Sequence, residues 1–218
     1  MGMSLFFQLF AGVPMDEINA FPLIPLGRWL FPIGIYLLMT GFHLGRSKNN
    51  RLFVMIRYGW IWKWWKHHFL NQLLGGIMSA MVLLGLFKFI DLLILQNLTV
   101  GLIETVMIVL LWTIHGITLS ALFLFMETIN MERMIATAIL LFEGLTFLSG
   151  YRYKWIARFM FGSWGMYAQS NLCESTYGFS IICVIVIQVV IITGCYLIGG
   201  YVLKKTRNGR SINDGKHY

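Results

Sequence analysis

Five stretches of this chain are long, apolar and almost free of charge: residues 21–44, 69–87, 105–126, 134–150 and 177–203. Crossing a hydrocarbon layer of about 30 Å takes about 20 such residues as a helix. Backbone N–H and C=O groups find no partners in lipid, so each stretch must satisfy its own as a helix; the alternating pattern of a membrane barrel is absent. Only 12% of the 218 residues are charged and 58% are apolar, with a mean hydropathy of +0.72. A soluble globule of this composition would expose large apolar patches and aggregate. The expected fold is an all-α polytopic transmembrane helix bundle of about five to six spans, forming a single domain over residues 1–218.

Charge supplies the orientation. Cytoplasmic loops carry an excess of Lys and Arg. Residues 46–68 hold Arg46, Lys48, Arg51, Arg57, Lys63 and Lys66 with no acid, and residues 204–218 hold Lys204, Lys205, Arg207, Arg210 and Lys216 against Asp214. Both segments are expected in the cytoplasm of a cell carrying this chain in its cytoplasmic membrane. The first twenty residues have Asp16 and Glu17 and no Lys or Arg, which suits the outside. Arg152, Lys154 and Arg158 then fall outside, against the statistical trend. The net charge of +8 lies between apolar stretches rather than on a soluble patch, so no nucleic-acid partner is expected. Three scattered cysteines make neither a disulfide framework nor a metal site.

Residues 57–68 read Arg57-Tyr58-Gly59-Trp60-Ile61-Trp62-Lys63-Trp64-Trp65-Lys66-His67-His68 and contain four of the eight tryptophans. Tryptophan favours the headgroup layer, where neighbouring lysines reach phosphates, so an amphipathic interfacial anchor is one reading. A rigid element presenting aromatic and cationic groups to a soluble partner is the other, and the two are compatible. A second aromatic segment, residues 151–177, includes Trp155, Phe159, Phe161, Trp164, Met166 and Tyr167 among its basic residues. It is too polar to span and too aromatic for a solvated loop, which leaves an aromatic belt or a re-entrant outer loop.

Arg57-Tyr58-Gly59 with Trp64-Trp65-Lys66, and Phe161-Gly162-Ser163-Trp164-Gly165-Met166 followed by Gln169-Ser170, resemble elements of the small permease subunits of type-2 ABC exporters. These subunits often accompany bacteriocin or antimicrobial-peptide export and immunity systems. The resemblance covers roughly residues 5–205. It implies that residues 46–68 include a coupling segment seated in a separate ATP-binding cassette subunit, with Arg57, Tyr58, Trp60, Trp62, Lys63, Trp64, Trp65 and Lys66 at the contact. ATP and magnesium would be held by that subunit, with no cofactor in this chain, and a second or related permease would complete the path. The outer loop, with Trp155, Trp164 and Met166, would form re-entrant helices. The implied function is ATP-driven export of an amphipathic or lipophilic substrate, such as an antimicrobial peptide; the alternatives are a non-transporting immunity or sensor subunit and a polytopic membrane enzyme. Family members usually have six spans. Here the first twenty residues offer only an apolar run over 3–13, about 16 Å of helix, so a first span is either missing or replaced by a piece lying flat in the outer interface.

Within the spans three polar side chains stand out. Glu143 sits mid-span, where a carboxylate costs about 2.5 kcal/mol or more; it must face the interior, protonate or find a partner, in a structural or a substrate-binding role. His115 is either that partner or a packing histidine, packing being the simpler reading. Gln188 is expected to hydrogen-bond between helices. Gly75-x-x-x-Ser79, Gly76-x-x-x-Ala80 and Gly116-x-x-x-Ser120 place small residues on single faces, allowing close helix approach. No phosphate-binding G-x-x-x-x-G-K-[ST], H-E-x-x-H or G-x-S-x-G motif occurs, so the chain is not expected to be an enzyme.

Overall fold

The computed structural model describes residues 4–14, 23–48, 61–95, 101–129, 134–173 and 176–214, and among these it is all helix and turn apart from one isolated bridge between Ser170 and Phe179. In chain order the helices are α1 (Leu5–Phe10), α2 (Leu23–Lys48), α3 (Ile61–Ile90, continued by a π-helical turn Asp91–Leu95), α4 (Leu102–Thr128), α5 (Ile135–Arg152), α6 (Lys154–Ala157) and α7 (Ile181–Asp214). Two 3₁₀ turns, Phe161–Ser163 and Tyr167–Gln169, lie between α6 and α7. Among the described residues four helices are long and apolar enough to cross a membrane, within α2, α3, α4 and α7; α5 is apolar but shorter over Ile135–Gly150.

The buried stripes follow helical periodicity. Trp29, Ile33, Tyr36, Leu37, Thr40 and Leu44 line one face of α2, and Ile135, Ile139, Glu143, Phe147 and Gly150 recur every three or four residues on α5. The remaining faces expose large apolar side chains such as Phe42, Met78, Leu141 and Ile182. In water such surface would be a liability; against hydrocarbon it is the required one. α4 differs from its neighbours in being covered on several sides, and α2, α3, α5 and α7 all pack on it. Pro32 lies inside α2 without ending it; a helix packed between neighbours tolerates the lost backbone bond.

Residues 4–13 fit one of the two expectations for them, that they supply no span, and depart from the other. They form a six-residue helix, about 9 Å long, that cannot cross a membrane, and it does not lie flat on the surface. Phe6, Phe10, Ala11 and Val13 are buried, with α1 packed on α2, α3 and α4. The reason is chemical: Asp91 provides acceptors for the first N–H groups of α1, which have no partner within the helix, and Phe10 finds Phe87 and Trp112 at ring distances of 5.4 and 5.2 Å. A further difference lies at the C-terminus, where the basic stretch expected as a tail continues α7 as helix to Asp214.

Candidate functional site

His115 is the middle residue of α4, and Glu143 is the ninth of the 18 residues of α5. Their side chains meet at 2.6 Å, Nε2 to Oε1, with exposures of 1% and 0%. The histidine expected chiefly as packing is therefore the carboxylate's partner. The stripe of α5 explains why: positions 135, 139, 143 and 147 share one face, so any residue at 143 points inward. Trp29 of α2 lies 6.3 Å from the imidazole, ring to ring, and Phe161 lies 5.0 Å away. Glu143 Oε2 and His115 Nδ1 are buried without a hydrogen-bond partner among the described residues. One turn along α4, the Thr118 hydroxyl donates to Ile114 O at 3.0 Å and lies 3.4 Å from Gln188 Oε1 of α7, the interhelical contact expected of that glutamine.

Residues 161–170 are all buried and close over this pair. A Cβ on Gly162 would stand 2.5 Å from the carbonyl oxygen of Glu143, and one on Gly165 would touch the imidazole at 3.0 Å. Glu143 lies nine residues before the end of α5, so the chain turns back by about 13 Å to reach it. Non-helical backbone at that depth needs partners of its own. They come from short polar side chains: the Gly162 N–H donates to Thr146 Oγ1 at 2.9 Å, Ser163 Oγ donates to Ala157 O at 2.6 Å, and Ser170 Oγ donates to Tyr167 O at 2.7 Å. Trp164 and Met166 are buried in this loop, whereas Trp155 is 60% exposed beside Tyr153 and Phe159. The segment thus divides into an exposed aromatic part and an inserted one. At its far end burial pushes the Tyr167 phenol up to about 12, and partial burial likewise raises the Cys173 thiol.

The N-terminal segment completes the same end of the bundle. Asp91, fully buried at the π turn, accepts from Ser4 Oγ and from the backbone N–H groups of Leu5 and Phe6, at 2.8 and 2.9 Å for the latter two. Lys88, one turn earlier, stands 5.2 Å over the Phe6 ring. Beyond α1 the chain bonds to the loop, with the Ala168 N–H donating to Ala11 O at 2.8 Å and Gln169 Nε2 donating to Val13 O at 3.2 Å. Gly12 makes this join possible: its φ of +84° is left-handed, and a Cβ there would sit 2.4 Å from the Met166 side chain. Sequence reasoning did not single out Asp91 or this strap. The available signal was Ser4, a good N-cap residue ahead of a short apolar run, and an acid on the buried register of α3.

At the opposite end α3 begins with the basic aromatic segment. Arg57, Tyr58 and Trp60 lie outside the described residues. Lys63 and Lys66 are exposed, but Trp64 and Trp65 turn inward, 3% and 1% exposed. Trp65 Nε1 donates to Tyr196 O of α7 at 2.8 Å. The Trp62 and Trp65 rings lie directly on Gly200 and Gly199, where a Cβ would come within 2.5 and 2.6 Å of them. The segment's Lys63 and Lys66 are exposed, whereas Trp65 is engaged by the chain's own last helix and Trp64 is buried, stacked on His68 of its own helix with ring centroids 5.0 Å apart. The small faces behave as expected within this one chain, since Tyr36 Oη donates to Gly116 O at 2.7 Å and meets Ser120 Oγ at 2.6 Å, opposite Gly76.

Chemically the centre is a hydrogen-bonded imidazole and carboxyl group closed off from solvent, at 1% and 0% exposure. Among the described residues no three His, Cys, Asp or Glu side chains converge as a metal set. In comparisons with protein families, curated proteins and solved structures, nothing matches this chain.

Proposed function

We propose that this chain is the transmembrane permease subunit of an ATP-driven exporter, lying in a bacterial cytoplasmic membrane with residues 46–68 and the C-terminus in the cytoplasm. A separate ATP-binding subunit, carrying ATP and magnesium, drives it, and a second permease copy completes the path. The substrate class is amphipathic or lipophilic, an antimicrobial peptide being the best fit to the resemblance described above. This chain itself supplies no catalytic group.

The observation that carries the reading is the join between α3 and α7. Trp62 and Trp65 seat on Gly199 and Gly200, and the Trp65 indole bonds Tyr196 O. A push on Lys63 and Lys66 therefore moves two long helices as one body, which is what a nucleotide-driven partner needs to bias an inward-open against an outward-open state. The partition of the segments between the two ends also supports the orientation. The N-terminal strap and the 161–170 loop are in contact with each other, and the start of α3 meets the C-terminal half of α7.

A second reading, a non-transporting immunity subunit, draws support from the large side chains buried together in the bundle interior: Trp29, Tyr36, Phe10 and Trp112. Both readings are tested by purification in mild detergent from the native host. The exporter reading expects a nucleotide-binding subunit to accompany the chain and its ATPase rate to rise with substrate. Lys63→Glu with Lys66→Glu should abolish the association while membrane insertion survives. Association without stimulation by any peptide favours the immunity reading, and unchanged association in the charge-reversed variant removes the coupling assignment.

A further inference from the structure

We propose that residues 152–159 seat the headgroup of an anionic phospholipid, with Arg152 and Arg158 holding its phosphate while Tyr153, Trp155 and Phe159 lie against its glycerol and upper chains. The inference needs only that the bundle lies in a bilayer, and it stands apart from the exporter reading.

Arg152, Lys154 and Arg158 put three cations into seven residues, and no Asp or Glu occurs from residue 144 to residue 173. Arg152 and Arg158 are exposed, and among the described residues neither has a carboxylate partner. The Arg158 guanidinium stands over the Phe159 ring, 5.1 Å from its centre. An arginine resting on a ring keeps its in-plane N–H donors for an anion, and their fork fits two oxygens of a phosphate. Tyr153, Trp155 and Phe159 are exposed beside these cations, and Tyr and Trp are the residues that settle at the headgroup level. A soluble acidic partner would answer the cations alone. A phospholipid answers both features, with charge and apolar chain in one molecule.

The seat is built on fixed backbone. α5 turns into α6 so tightly that a Cβ on Gly150 would stand 3.1 Å from Ala157 Cα, which brings Arg152 and Arg158 to one corner of the bundle. The carbonyls of Ala157 and Arg158 accept from Ser163 Oγ at 2.6 Å and Trp164 Nε1 at 3.3 Å, both in the inserted loop. Little backbone freedom is left to lose when a ligand arrives. Depth argues for a lipid as well. The apolar helix Ile135–Gly150 rises about 24 Å, about 6 Å less than the hydrocarbon layer. With its first turn at one interface, the arginines at the other end stand below the level of the surrounding phosphates. Long cationic side chains then reach upward and draw a headgroup down to them.

Lipid photo-crosslinking tests this with the full chain in phosphatidylcholine nanodiscs. A trace of phosphatidylglycerol carrying a photoreactive group on its headgroup is compared with phosphatidylcholine carrying the same group, and adducts are mapped by mass spectrometry of peptides. The anionic analogue should label residues 151–160 about tenfold or more above the zwitterionic one, and Arg152→Gln with Arg158→Gln should bring the two to equality. In the unaltered protein, unlabelled phosphatidylglycerol should suppress the adduct and soluble polyglutamate should not. Equal labelling by the two analogues overturns the proposal and leaves an ordinary aromatic belt, and a preference that survives in the double variant overturns it too. Suppression by polyglutamate as strong as by phosphatidylglycerol would assign the seat to a soluble acidic ligand instead. Should the double variant fail to fold, the analogue comparison and the competition in the unaltered protein still decide.

Discussion

At one end of the bundle Asp91 gathers three donors from the N-terminal strap, the strap gives two backbone carbonyls to the loop, and the loop bonds α5 through Thr146 and its own turns through Ser163 and Ser170. At the other end two indole rings lie on two glycines, with one directional bond between Trp65 and Tyr196. The first closure is made of directional polar contacts in a water-poor place, where an unmade bond costs its full desolvation penalty, so it opens as a discrete step. The second is made of close packing, which transmits a push and tolerates small sliding. A latch at one end and a lever at the other suit a helix bundle that moves between two states.

Four variants break or sharpen that contrast, in order of expected size. Asp91→Ala leaves the N–H groups of Leu5 and Phe6 and the Ser4 hydroxyl without their acceptor, and should lower stability in detergent by about 3 kcal/mol. A cysteine placed at residue 10, buried in the parent, should then react with maleimide. Gly200→Val drives side-chain atoms into the Trp62 ring and should lower stability by about 2 kcal/mol, as read by thermal melting. Gly12→Ala strains a left-handed backbone and presses on Met166, for about 1.5 kcal/mol; adding Met166→Ala should restore little of it, because Met166 Cβ, 2.4 Å from the added Cβ, and the backbone strain both remain. Trp65→Phe keeps most of the packing and removes the indole donor to Tyr196, for about 1 kcal/mol. If Trp65→Phe proved as costly as Asp91→Ala, the contrast between the ends would fail.

A labelling experiment sharpens the contrast without touching stability. Cys173 is exposed on the loop, whereas Cys195 is buried in α7. A membrane-impermeant maleimide applied to intact cells should modify Cys173 if the latched end faces outward. Because partial burial raises that thiol above its ordinary value, less thiolate is present at neutral pH, and labelling should keep accelerating as the pH rises toward and beyond 9.0. Labelling only after the cells are opened would reverse the assigned orientation.

The helices were legible because apolar length and charge gaps decide them, and α3, α4 and α7 run close to the stretches read from the sequence. Glu143 was legible as an inward-facing acid because nothing else charged shares its span. Its partner was only half legible: His115 lies 28 positions earlier on another helix, and a lone apolar-face histidine carries no mark of which neighbour it will meet. The strap was not legible at all. Asp91 and Ser4 are 87 positions apart, and a six-residue apolar helix is too short to show periodicity. The inward turn of Trp65 was hidden by composition, since tryptophans beside lysines read as surface until Gly199 and Gly200 are known to face Trp62 and Trp65.

The central claim, that the Lys63 and Lys66 end is gripped by a nucleotide-driven motor, is tested most directly by photo-crosslinking in native membranes. A crosslinking side chain at position 66 should capture a protein with a phosphate-binding loop, and the same side chain at position 155 should not. Capture of lipid alone at position 66 would contradict the account and leave this chain a passive membrane component.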